Sequence, residues 1–178
     1  MRDGRALVVV MVVVWAMAAG GGRAQERTTP TLRVGDLPDD VHIDGRLDEP
    51  AWQSADTADA FTQTDPSEGA PPSARTVVRV LANRRALLIG VDCTQPDGVG
   101  VVSYSVRRDA PLTSEDHVRL VLGPFLDGRS GYVFAVNPSG ARYDGLINPG
   151  GESDNPEWDG IWTAATERAR SCASCIPR

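Results

Sequence analysis

The sequence predicts an all-β chain, an antiparallel β-sandwich of jelly-roll type that lacks its last strand. Three observations predict it. Short runs rich in Val, Ile, Leu and aromatic residues recur at intervals of roughly ten residues, with turn signals between them. The periodicity of a core-facing helix persists over no window of about 12 residues. The 18 glycines and 13 prolines sit mostly between the runs.

The first 24 residues are set aside. Arg2 and Arg5 form a basic start, Leu7 to Ala19 is an unbroken apolar run of 13 residues, and Gly22-Arg23-Ala24 offers small residues at a cleavage site. This is the pattern of a secretory signal peptide. The alternative, an uncleaved membrane anchor, needs about 20 apolar residues. Export to the periplasm, the outer membrane or the medium is expected, with residues 25–178 forming one domain.

Val41 to Trp52 (VHIDGRLDEPAW) opens that domain. Asp44-Gly45 is a turn signal, because Gly tolerates positive φ and Asp bonds its own backbone. Pro50 suits a first helical position, with Asp48 or Glu49 as a cap and Trp52 pressed inward from a single turn. Thr62 to Ser73 is a polar, Pro-rich surface loop. Arg75 to Ala82 and Ala86 to Cys93 flank Asn83-Arg84-Arg85 as a hairpin. In its second arm Leu87, Ile89, Val91 and Cys93 share a face, which makes Cys93 a buried small hydrophobe. Gly100 to Val106 is a weaker strand.

Further on, His117 to Leu122 alternates, with Val118, Leu120 and Leu122 on one face. Gly131 to Asn137 and Ala141 to Ile147 flank Pro138-Ser139-Gly140 as a second hairpin. Gly150 to Asp159 is an acidic loop, and Ile161 to Thr166 a last strand with no alternating partner after it.

The chain carries 18 cations, all Arg, against 24 acids, for a net charge of −6. The acidic excess grows once the leader and its three arginines are removed. With no basic patch, a nucleic-acid partner is not expected. Cys172 and Cys175 form a C-x-x-C. It lacks the second pair that zinc would need and the following helix that would lower a thiol pKa. His42 and His117 have neither a nucleophile elbow nor a metal-binding spacing beside them. No two acids are singled out for glycoside hydrolysis. No cofactor follows from the residues, and the acids near Asp127-Gly128 lack an EF-hand spacing.

Aromatic residues carry the remaining signal. Sugar rings offer flat C–H faces and polar edges, so a protein that binds them needs an aromatic platform with hydrogen-bonding groups nearby. Trp158 stands in the polar loop ESDNPEWDG, where its ring must either bury itself or meet a ligand. Trp162 and Trp52 read as packing residues. Asn137 and Arg107 are candidate polar contacts for a sugar.

Four segments, in order and spacing, resemble carbohydrate-binding module family 9: VHIDGRLDEPAW; TVVRVLANRRALLIGVD from Thr76; SEDHVRLVL from Ser114; and GYVFAVNPSG from Gly131 followed by WDGIWTAATE from Trp158. The resemblance runs from about Leu32 to Glu167. It implies a β-sandwich that binds polysaccharides or oligosaccharides of xylan or cellulose type, in company with polysaccharide-degrading domains, and with calcium bound for structure. Trp158 is the residue to inherit the stacking role. The sequence departs from the family pattern after Glu167, where relatives continue into a further strand; here RARSCASCIPR follows, which reads as a truncated product. Two other readings stand beside this one: a truncated structural N-terminal domain of a larger periplasmic or outer-membrane protein, and a glycoside hydrolase in its own right.

Overall fold

Period-two alternation and two tight turns account for most of the regular structure. The computed structural model describes residues 31–95, 98–149 and 154–168. The segment 1–24 read as a signal peptide, and Cys172 and Cys175, lie outside them. In chain order the elements are β1 (Gly35–Asp36), α1 (Pro50–Ser54), β2 (Thr76–Ala82), β3 (Leu87–Cys93), β4 (Val118–Leu122), β5 (Gly131–Val136), β6 (Arg142–Ile147) and β7 (Asp154–Asn155). They form a three-stranded sheet, β1-β2-β3, and a four-stranded sheet, β4-β5-β6-β7. Among the described residues only the β1–β2 pairing is parallel. The fold is therefore all-β, with one five-residue helix among the described residues. None of their helices is long and apolar enough to cross a membrane.

The predicted hairpins form where the turn residues require them. Asn83 closes the β2–β3 turn, its side-chain oxygen accepting from the N–H groups of Arg85 (2.8 Å) and Ala86 (3.0 Å). The β5–β6 turn closes on Gly140, whose φ of 82° is easy only for glycine. Along β2, Val77 and Leu81 are buried on one face. On that face Gly90 lies opposite Arg79, and a Cβ on Gly90 would stand 2.7 Å from Leu47 and 3.0 Å from the Trp52 ring. Trp52, only 3% exposed, is thus the inward anchor expected of α1.

Several expectations are corrected. The segment 100–106 is not a strand, because acidic side chains take its backbone donors. Val102 N–H donates to Asp116 (2.8 Å), and the N–H groups of Tyr104 and Ser105 donate to Glu115 (2.9 and 3.2 Å). The segment 161–166 joins no ladder either; side chains of β6 hold the backbone that leads into it. Cys93 is exposed, because it ends a strand at the edge of its sheet. Glu49 does not cap α1; its carboxylate turns back to accept from His42 N–H (3.1 Å). His42 is exposed and outside any strand.

Candidate functional site

Two consequences of alternation on β5 and β6 place the candidate site. Tyr132 and Phe134 share one face of β5, while Val133 and Ala135 take the other and are buried. Opposite Phe134 on β6 stands Asp144, a fully buried carboxylate. A buried charge must be paired and hydrogen-bonded. Asp144 accepts from Arg108 (2.7 Å), from the Trp162 indole N–H (3.1 Å) and from Gly160 N–H (2.6 Å). Arg108 also reaches Asp159 (2.6 Å). Arg142 donates to the Trp162 carbonyl (2.6 Å) and lies over its ring. One carboxylate thereby fixes the backbone between Trp158 and Trp162.

That segment lays both tryptophans on the aromatic face of β5. Trp162 meets Phe134 edge-on at 5.2 Å between ring centroids. Trp158 lies 4.9 Å from Tyr132 and meets Phe134 edge-on at 6.0 Å. It also folds over Gly160, where a Cβ would stand 2.9 Å from the ring. Phe125, 58% exposed, continues the row beyond Tyr132 at 6.1 Å. Beside Tyr132 opens a groove of about 480 Å³ lined also by Phe125, Asp127, Ser130, Leu146 and Asn148. Asp127 organises its rim, accepting from the N–H groups of Arg129 and Ser130 and from the Ser130 hydroxyl. The Ser130 hydroxyl and those two N–H groups hold the carboxyl down at about 2, against a smaller opposing push from burial.

The three residues expected to contact sugar part company here. Trp158 is half-buried and borders the aromatic row. Asn137 is 1% exposed and its amide is saturated. It donates to the Ser105 carbonyl and to Glu115, and accepts from the N–H groups of Ser139 and Ala141. Arg107 is exposed, and its neighbour Arg108 is the arginine that enters the cluster. Sequence reasoning missed Tyr132, Phe125 and Asn148. Tyr132 was within reach, since alternation alone puts it with Phe134 on one face.

The calcium implied by the family resemblance finds no cluster of three or more His, Cys, Asp or Glu side chains among the described residues. No protein-family model, curated protein or solved structure matches the chain.

Proposed function

We propose that the chain is an exported, non-catalytic carbohydrate-binding domain, a jelly-roll β-sandwich akin to carbohydrate-binding module family 9, directed at xylan- or cellulose-type polysaccharides. The observation that carries this reading is the aromatic row Phe125–Tyr132–Trp158 beside a groove rimmed by Ser130 and Asn148. Flat rings next to hydrogen-bonding side chains are what a sugar ring needs. The segment order quoted above supports the family, and the basic, apolar start of the chain supports export.

The test is titration of xylo- and cello-oligosaccharides followed by tryptophan fluorescence. Binding is expected, weakened about tenfold or more by Tyr132→Ala or Trp158→Ala, since buried aromatic contacts dominate such interfaces. Absence of binding to every oligosaccharide overturns the reading.

A second reading, a structural N-terminal domain of a larger envelope protein, is favoured by the packing of Trp158 on Tyr132 and Phe134. Under it Trp158→Ala costs stability and no sugar binds. The glycosidase reading needs two facing carboxylates. Among the described residues the groove has Asp127 alone, with both oxygens engaged in its loop.

A further inference from the structure

The opposite face of the same sheet carries a hollow with its own chemistry. Arg119, Ala135 and Tyr143 lie side by side across β4, β5 and β6. A methyl group between two long side chains leaves a gap, and the gap is a pocket of about 150 Å³. Its floor is apolar: Leu112 and Ala135 are buried there. Its walls are Thr113, His117, Arg119, Tyr143 and Asp154.

The polar groups are arranged in a definite sense. Asp154 accepts from the Tyr143 hydroxyl (2.7 Å) and pairs with one Arg119 nitrogen (3.3 Å). The charges of Arg119 and Asp154 neutralise each other, so neither is left free to draw an ion. Burial, then the hydrogen bond to Asp154, pushes the Tyr143 hydroxyl up to about 12, so it stays a neutral donor. Burial lifts the Asp154 carboxyl, but the Tyr143 hydroxyl and Arg119 outweigh it and hold it below its ordinary value. The remaining Arg119 N–H groups are donors. His117 Nδ1 lies 2.9 Å from the Glu115 carbonyl, which can only accept. In the neutral ring that nitrogen therefore carries the hydrogen, and Nε2 is an acceptor.

We propose that this hollow is a second binding site, on the face away from Trp158, for one neutral polyol or single pyranose ring held through a vicinal diol. One hydroxyl accepts from Arg119, its neighbour donates to His117 Nε2, and the C–H face rests on Leu112 and Ala135. The volume decides the size. Pockets for drug-sized ligands run from about 300 Å³ upward, so this one takes a single ring and not an oligosaccharide. The pairing of Arg119 with Asp154 decides the class, a neutral ligand over a carboxylate. The site stands independently of the reading given to the Trp158 face.

The test is an NMR titration of the full chain with D-xylose, and separately with sodium acetate, following backbone amides. Xylose is expected to shift Thr113, Arg119 and Tyr143 saturably. Arg119→Gln and His117→Ala should each weaken that response about tenfold, as loss of one hydrogen bond to a charged or buried group does. His117 is exposed and lies just before β4, so its truncation removes no ladder residue. Tyr132→Ala should leave these shifts unchanged. Xylose shifts that are absent, that persist in both pocket variants, or that vanish with Tyr132→Ala overturn the proposal. So does a response to acetate where xylose gives none.

Discussion

Glu115 shows how much a single acid organises here. It is 7% exposed, and one of its oxygens accepts from the N–H groups of Tyr104 and Ser105 and from the Asn137 amide. Burial alone would raise its pKa, but hydrogen bonds from Ser105, Tyr104 and Asn137 outweigh that and lower it from 4.5 to about 2. A folded pKa below the unfolded one stabilises the fold above the unfolded value. That contribution is fully present above about pH 4.5 and is lost as the pH falls toward about 2. Chemical denaturation across that window should show stability falling with acid, and a shallower fall in Glu115→Gln; equal slopes would refute the assignment. Nothing in the sequence marked Glu115 or Asp144. A buried carboxylate is recognisable only once the donors that satisfy it are known, and those come from residues up to 36 positions away. Trp158, by contrast, was singled out by its polar surroundings; Tyr132 was missed, although alternation puts it on one face with Phe134.

At the scale of elements, strands were legible where apolar alternation and a turn coincided. Asn83 and Gly140 mark the two hairpins, and Val118, Leu120 and Leu122 take one half-buried face of β4 as expected. The two false strands, 100–106 and 161–166, have suitable composition. Their backbones are held instead by Asp116 and Glu115 in one case, and in the other by Arg142 at Trp162, with Asp144 at the preceding Gly160. Helix α1 is only five residues long, too short to persist without tertiary support. Its stability comes from Trp52, seated on Gly90. Trp52→Ala should therefore cost about 3–5 kcal/mol, measured by urea denaturation. A loss under about 1 kcal/mol would mean that the ring contributes little packing.

Over the whole molecule, the opening motif and the last described residues hold each other. Arg46 pairs with Glu167 through two nitrogens, at 2.7 and 3.1 Å. Gly45, at a φ of 92°, lies so close to this segment that a Cβ would stand 2.7 Å from Glu167 N and from the Thr166 carbonyl carbon. Thr166 in turn donates to the Pro138 carbonyl in the β5–β6 turn (3.3 Å). Gly45→Ala combines a left-handed backbone with a collision, and should cost about 1–3 kcal/mol. Hydrogen exchange should show faster opening of residues 164–168 in that variant; unchanged protection there would remove the clasp. The Asp-Gly turn was legible from the sequence. Its partner, 121 positions away, was not.

The buried Asp144 also sets an order of events in time. Its own hairpin closes over a few residues around Gly140, a short loop that forms readily. Arg108 and Trp162 arrive from 36 and 18 positions away. Until β6 is paired, the carboxylate they need has no fixed place. The strap from Trp158 to Trp162 is therefore expected to dock after β5 and β6 have met, as the more non-local contact.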